Sequence, residues 1–524
     1  MPSSTAETGA SAGSPALPGE PSERTRLGLG ILAAGASLGI VGDALLRVEP
    51  WGVNATLCIW AAVAAALALV RWGRIPVTRD TPWLALTAVL LGAAFVRRDS
   101  EWLQFFDVVA LAGVLSLGVL AARGTSLRGR SVLEYAGAAL GTAAHASVGA
   151  LRLVFSDIRW AEIPLNGRLR AVKSVGLGAL IATPVLLVFG ALFASADAVF
   201  ATVLSNTISI DPAEALGHLV LMGVLGALAA GYFAGALLPA PARAVPLLGA
   251  WTQPRLGIIP VATALGLVNL LFLLFVVVQL RYLFGGDVVV LETTGLTLAE
   301  YARSGFFELV TVSSLVLPVL LGADGLLRNE GAPGRRAFRY LAGLLLVLLG
   351  VVMVSALERM RLYVAEFGLS EDRLYATAFM GYLAILFAWF AWTVLRERQR
   401  RFAFGGVIQG LAVLAGLHIL NPDALIARVN LDRAVQGNRF DAEYLAHQLS
   451  ADAVPVLLER IPGLAREQSC DLTTRLLSRW TEEESGDWRS WNWSRAQARR
   501  LVRERRATLE AVPCPPLAES RRPL

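Results

Sequence analysis

Residues 257–280 read GIIPVATALGLVNLLFLLFVVVQL, a stretch that contains no charged side chain. A helix of about 20 such residues crosses the roughly 30 Å hydrocarbon core of a bilayer. Apolar stretches of similar length recur along the chain, and the composition agrees with them. Of the 524 residues, 55% are hydrophobic and 17% are charged, whereas soluble domains carry about a quarter charged residues. The sequence therefore predicts an all-α fold, a polytopic integral membrane helix bundle.

Length and hydropathy predict about eleven spans. They cover residues 27–46, 53–72, 82–96, 103–122, 174–195, 215–238, 257–280, 305–322, 340–357, 375–395 and 404–420. The segment 131–155 is a weaker apolar stretch, because it is rich in Ala and Gly and contains Glu134 and His145.

The distribution of arginines predicts how this segment and the termini are placed. Arginines flank 131–155 on both sides, and basic loops stay in the cytoplasm. The segment is therefore predicted to be a cytoplasmic interfacial or re-entrant helix. With this assignment the remaining basic loops fall on one side of a plasma (inner) membrane. The N-terminus is then cytoplasmic and the C-terminus extracytoplasmic.

Three domains are predicted: a disordered leader (1–26), a transmembrane helical domain (27–420) and a small soluble helical domain (421–524). In the last of these, four tryptophans precede a basic stretch, RAQARRLVRERR: Trp480, Trp488, Trp491 and Trp493. They indicate either a tryptophan core or a surface helix resting on anionic lipid with tryptophans at the interface. Cys470 and Cys514 are interpreted either as a disulfide, if the domain is extracytoplasmic, or as two free thiols.

No pattern in the chain indicates a cofactor, a metal site or a nucleic-acid partner. The four histidines and three cysteines are scattered, no CxxC occurs, and no recognised catalytic motif is present. The sequence thus leans against an enzyme.

Polar residues gather at the predicted outer ends of the spans, as in YARSGFFELV (301–310) and ERMRLYVAEFGLSEDRLY (358–375). The predicted polar cluster consists of Arg303, Glu308, Gln279, Arg281, Glu358, Arg359, Arg361, Glu366, Arg373, Asn421 and Asp423. Charges of opposite sign at matching depth can neutralise one another between helices. Two interpretations stay open: ion pairs that hold helices together without a ligand, or an outward-facing pocket for an anionic group or a lipid headgroup.

Several blocks resemble a family of bacterial multi-pass membrane proteins catalogued as a domain of unknown function (4153/4173-type). They are GDALLRVEPWGVN (42–54), SADAVF (195–200), VQLRYLFGG (278–286), EYARSGFFELV (300–310), ERMRLYVAEFGLSEDRLY (358–375), NPDALIARVNLDR (421–433) and DAEYLAHQLSADAVP (441–455). The resemblance implies a polytopic plasma-membrane protein and implies no activity.

The function favoured by these observations is a membrane scaffold, assembly or sensory protein. Its partners would be the lipid bilayer and a protein bound through the C-terminal domain. One alternative is a transporter or lipid-handling protein. Another is an outer-leaflet enzyme acting on an anionic lipid-linked substrate, with Glu308 or Glu358 as base and Arg303, Arg359 or Arg361 holding phosphate.

Overall fold

The computed structural model describes residues 22–162, 212–238, 257–294, 305–327, 331–481, 486–512 and 514, with isolated positions between 175 and 197. Over these residues the chain is helical, and they form no β-strand. The helices of the first half are α1 (Glu23–Leu46), α2 (Val53–Trp72), α3 (Thr81–Arg97), α4 (Glu101–Ala122), α5 (Val132–Arg152), α6 (Pro212–Leu237) and α7 (Ile258–Thr294). They are followed by α8 (Phe306–Leu326), α9 (Ala332–Phe367), α10 (Glu371–Thr393), α11 (Phe402–Leu420), α12 (Pro422–Val435), α13 (Val454–Arg460), α14 (Arg466–Thr481), α15 (Trp493–Glu504) and α16 (Arg506–Glu510).

Ten helical segments of the described part are long and apolar enough to cross a membrane, and α3 is a shorter apolar helix. This confirms the predicted fold class, a polytopic helical membrane protein. Only isolated positions of the predicted span 174–195 are described, and most of the predicted leader lies outside the described residues. One of the ten segments is 132–157, which includes α5, so that segment also meets the length and composition of a span. Its predicted interfacial placement stays a prediction.

Two helices extend well beyond the predicted spans: α7, which runs to Thr294, and α9. α9 runs to Phe367, about ten residues past the predicted end at 357, and stops where Gly368 adopts a positive φ of 81°. The extension is polar, and its Glu358 and Arg361 form an i, i+3 pair at 2.9 Å. Hydropathy detects where the apolar stretch ends, at the first polar residues. The helix itself can continue into water, because its backbone hydrogen bonds are made within the helix and end only at its last turn.

The chain divides into two compact units, the first made of residues 1–47, 61–77 and 141–244. Here α1 and α6 pack closely through glycines. A Cβ placed on Gly39 would lie 2.3 Å from the Met222 carbonyl oxygen, and one on Gly231 would lie 2.5 Å from the carbonyl oxygens of His145 and Ala146 in α5. Small residues allow such backbone contact between membrane helices. Gly35 and Gly39 on α1, and Gly231 and Gly235 on α6, lie at such close approaches.

The second unit comprises residues 48–60, 78–140 and 245–524. Two apolar cores formed by its described residues position the site. The first core lies between α7, α8, α9 and α10, where residues such as Phe306, Leu320 and Phe390 are fully buried. Within it, the Ser355 hydroxyl donates to Gln279 Oε1 at 2.5 Å, which satisfies two polar groups among apolar side chains.

The second core is formed by the helices that follow α11, from Ala424 to Leu509. Trp480 belongs to it, whereas Trp488, Trp491 and Trp493 are 62%, 44% and 51% exposed. The interpretation of a tryptophan core therefore holds for Trp480 and is wrong for the other three, because their short polar segment lies at the surface. A disulfide joins Cys470 to Cys514, with 5.3 Å between the Cα atoms.

Candidate functional site

A network of buried and partly buried polar side chains lies where the second core meets the ends of α3, α4 and α11. We call it the junction network, and its members are Arg98, Asp99, Asp423, Ser450, Asp452, Asn492, Ser494 and Arg495. Arg98 and Asp99 occupy the tight loop between α3 and α4, and Asp423 opens α12. The other members lie in short segments before α13 and at the start of α15.

Arg98 connects the end of a membrane helix to the C-terminal core. Its Nη1 donates to Asp452 Oδ1 at 2.9 Å, and its Nη2 donates to the carbonyl oxygen of His418 at 2.6 Å, near the end of α11. That carbonyl is one of those a helix leaves without an intrahelical partner. The Arg98 side chain thus links the ends of two membrane helices, α3 and α11, to the short stretch that precedes α13.

Asp452 is 4% exposed and accepts hydrogen bonds at both carboxylate oxygens. The Asp99 backbone N–H donates to Oδ2 at 2.8 Å, and the Ser494 hydroxyl donates to Oδ1 at 2.6 Å. With Arg98 opposite, this carboxylate is both neutralised and hydrogen-bonded, the condition under which a buried charge is stable.

Arg495 provides the second buried ion pair, with Asp99. It also donates to the carbonyl oxygens of Trp51 at 3.0 Å and Ser490 at 2.6 Å. Burial raises the pKa of the Asp99 carboxyl, and the facing Arg495 opposes that increase. The planar guanidinium with five donors suits this position, since it bonds a carboxylate and several carbonyls at once.

Asn492 attaches the start of α15 to the end of α3. Its amide donates to the carbonyl oxygens of Phe95 at 2.8 Å and Arg98 at 2.9 Å. Its own oxygen accepts the Arg495 N–H at 3.2 Å and so caps α15. One side chain therefore satisfies orphan groups of both helices.

Asp423 is fully buried and incompletely satisfied. Its Oδ2 accepts from the Ser450 hydroxyl and from the Ser450 N–H at 3.2 Å. Oδ1 has no hydrogen-bond partner among the described residues. Burial raises the pKa of this carboxyl to about 6, with the nearby Asp452 and Asp99 adding to the increase. The protonated form of Asp423 is thus favoured over the charged form more than in an exposed aspartate.

A further buried pair lies within the adjacent membrane helices. His418 Nε2 is 2.9 Å from Asp107 Oδ1, and Asp107 is fully buried in α4. The pair joins α4 to α11 beneath Arg98, which binds the His418 carbonyl. Ionisable residues persist in membrane helices when they pair in this way.

A cavity of about 450 Å³ adjoins the network, and we call it the junction cavity. Its walls come from the end of α3, the end of α11, the first turns of α12 and α15, and the α13 segment. They include Arg97, Arg98, Arg428, Asp452, Trp493 and Gln497. Among the described residues, no three His, Cys, Asp or Glu side chains are grouped so as to hold a metal ion.

The structure brings two members of the predicted polar cluster into the junction network or next to it. Asp423 belongs to the network, and Asn421 lies beside it. Asn421 adopts a left-handed conformation between α11 and α12, accepts the Ala424 N–H at 3.4 Å and donates to the Asp452 carbonyl at 3.4 Å. A left-handed non-glycine residue favours Asn, which explains its place at this helix–helix turn.

The other described members have different surroundings. Gln279 lies in the first core with Ser355, and Glu358 pairs with Arg361 at the surface. Glu308 is exposed in the first turn of α8. Arg359 lies close to the start of the same helix, since a Cβ placed on Gly305 would be 3.1 Å from one of its guanidinium nitrogens.

Two more members lie where α9 and α10 meet α12. The Glu366 backbone carbonyl accepts from Arg433 at 3.0 Å, and Arg373 stacks 4.0 Å from the Tyr363 ring centre. Arg303 and the side chain of Arg281 lie outside the described residues.

Most of the junction network was not predicted from the sequence. Its members lie in short stretches, RRDS (97–100), SAD (450–452) and NWSR (492–495), that are distant along the chain. Each reads as an ordinary polar loop or helix cap. The combination of charged and capping residues in the tight loop 97–100 between two apolar helices was the available signal.

Comparison with known families identifies one match. A family model described as a domain of unknown function (DUF4153) matches residues 85–460, well over half of the chain. Searches of curated proteins and of solved structures found no match. The matched range contains α4 to α13 and, within the junction network, Arg98, Asp99, Asp423, Ser450 and Asp452. The protein is therefore a member of the DUF4153 family.

Proposed function

We propose that this protein is a scaffold of the bacterial plasma membrane that holds its C-terminal helical domain in a fixed position for a protein partner. The observation that carries the proposal is the Arg98–Asp452 pair, which joins the ends of α3 and α11 to the C-terminal core. A domain held by two buried ion pairs and several hydrogen bonds to helix ends is attached rigidly.

The chemistry of the junction supports a structural use of its charges. Arg98, Asp99, Asp452 and Arg495 are paired with one another and with backbone groups. A catalytic acid or base needs hydrogen-bond reach to a substrate. Since these side chains bond to the protein itself, holding the domain is the role that fits their geometry.

Two observations support an extracytoplasmic C-terminal domain. Basic loops fall on the opposite side when eleven spans are counted. The Cys470–Cys514 disulfide is a feature of proteins in oxidising compartments. A partner would then be met on the outer face of the plasma membrane, through the exposed faces of the C-terminal helices.

Site-specific photocrosslinking in membranes of the native host tests the proposal. A crosslinker at Ser478, exposed on α14, is expected to give a discrete heavier band. The band should disappear in Arg495→Met, which leaves Asp99 buried without its partner and loosens the domain. It should persist in Arg506→Met, which removes an exposed pair with Glu510. No discrete band in the unmodified chain, or an equal band in both variants, would contradict the scaffold role.

A further inference from the structure

The junction cavity lies at the depth where a membrane helix leaves the hydrocarbon. One wall is the end of α11, where Ile419 and Leu420 are 84% and 50% exposed, and another contains the half-exposed Trp493. Exposed large apolar residues at the end of a span contact acyl chains, and tryptophan prefers the level of the headgroups. The polar residues of the cavity therefore lie at headgroup level.

The charge in the cavity is positive. Arg97, Arg98 and Arg428 line it, and Asp452 is the one acidic residue of its wall among the described residues. Arg98 neutralises Asp452 at 2.9 Å. Arg97 and Arg428 are exposed and form no ion pair within the described part of the chain. Two guanidinium groups thus remain to bind an anion.

Two helix N-termini add to this positive charge. α12 and α15 both begin at the cavity, where Asn421, Ala424, Trp493 and Ser494 belong to their caps and first turns. A helix N-terminus carries a partial positive charge and favours phosphate. Two such ends and two exposed arginines around one cavity of about 450 Å³ form a site of the size that small ligands occupy.

We propose that the junction cavity binds the phosphate headgroup of an anionic phospholipid, with Arg97 and Arg428 contacting the phosphate and with the acyl chains leaving past Ile419, Leu420 and Trp493. Phosphate is the shared chemistry of a lipid headgroup and a soluble phosphate ester. The apolar rim favours the lipid, because a soluble ester would gain nothing from it. This site does not depend on the scaffold role.

Native mass spectrometry of the full-length protein in detergent, with phosphatidylglycerol or phosphatidylcholine added, tests the proposal. The unmodified protein is expected to bind phosphatidylglycerol about tenfold more tightly than phosphatidylcholine. The double variant Arg97→Gln/Arg428→Gln should lose that preference. The single variant Arg428→Gln should lose part of it, and because its side chain is exposed it should fold normally.

The matched control is Arg500→Gln/Arg503→Gln, which removes two exposed arginines of α15 that do not line the cavity. It should keep the preference for phosphatidylglycerol, and melting temperatures should match across the set. Equal loss in the control, or an unchanged preference in the double variant, would overturn the site. Displacement of the lipid by glycerol phosphate at equal concentration would overturn the lipid as its occupant.

Discussion

At the scale of single residues, Asp423 is a buried carboxyl whose charged form is disfavoured by its surroundings. It is fully buried, one carboxylate oxygen has no partner within the described residues, and Asp452 and Asp99 are close. The charged form is therefore disfavoured, and the pKa is about 6 instead of 3.8. A carboxyl with a raised pKa in the folded state stabilises the protein when protonated.

This predicts how stability depends on pH. The stabilising effect of Asp423 should be fully present below about pH 4 and should be lost as the pH rises through about 6, because the folded state binds the extra proton. Asp423→Asn should remove this part of the dependence and be at least as stable as the unmodified protein at pH 7. The difference between the two is expected to be on the order of 2–3 kcal/mol.

Thermal melting of both proteins in detergent between about pH 4 and pH 8 measures this difference. Asp441→Asn, which changes an aspartate next to an exposed turn, is a suitable control and should melt in parallel with the unmodified protein. Parallel curves for Asp423→Asn and the unmodified protein would show that Asp423 does not titrate in this range.

At the scale of elements, the two buried ion pairs are predicted to hold α15 and the α13 segment to the end of α3. Arg495 is 7% exposed, so Arg495→Met leaves Asp99 as an uncompensated buried charge. Breaking such a pair costs about 3–5 kcal/mol. We expect faster proteolysis of the C-terminal domain and a lower melting temperature.

The control for this prediction is Arg506→Met. Its pair with Glu510 is more than half exposed on both sides, and exposed pairs contribute about 0–1 kcal/mol. Similar protease sensitivity of the two variants would show that the Arg495–Asp99 pair does not hold the domain.

The glycine contacts of α1 and α6 give a second prediction at this scale. Gly39→Ala would place a methyl group 2.3 Å from the Met222 carbonyl oxygen, so the helices must separate. Overpacking of this kind costs about 1–3 kcal/mol. Gly223→Ala is the control on α6, because a Cβ there meets nothing within 4 Å. Gly39→Ala should melt at a lower temperature than Gly223→Ala. Equal melting temperatures would show that α1 and α6 are not in close contact at Gly39.

At the scale of the whole molecule, the orientation of the chain decides where the junction faces. Alkaline phosphatase and a fluorescent protein, each fused after residue 524, report the side of the C-terminus. We expect active phosphatase and no fluorescence, since eleven spans and the arginine distribution predict a C-terminus on the outer side. The reverse result would mean that α5 crosses the membrane or that another span is miscounted.

The disulfide gives an independent prediction at this scale. Cys470 and Cys514 enclose a loop of 44 residues within the C-terminal domain. Closing a loop of this length stabilises a fold by about 2–4 kcal/mol. Cys470→Ser/Cys514→Ser should melt earlier than Cys58→Ser, which changes the free cysteine. A mass shift equal to two thiols, on alkylation of Cys58→Ser without prior reduction, would show that the bond is absent.

Hydropathy and chain composition were enough to predict the class of the protein and the position of most helices. Apolar stretches such as 257–280 can satisfy their backbone in lipid only as helices, so hydropathy suffices to find them. It also found Asn421 and Asp423, because a polar turn directly after an apolar span is visible locally. The tertiary structure alone decided their partners. Arg98 meets Asp452, and Asp99 meets Arg495, each across more than 350 residues of chain. No periodicity or local motif encodes such pairs, since they arise from the packing of α3 and α11 against the C-terminal core.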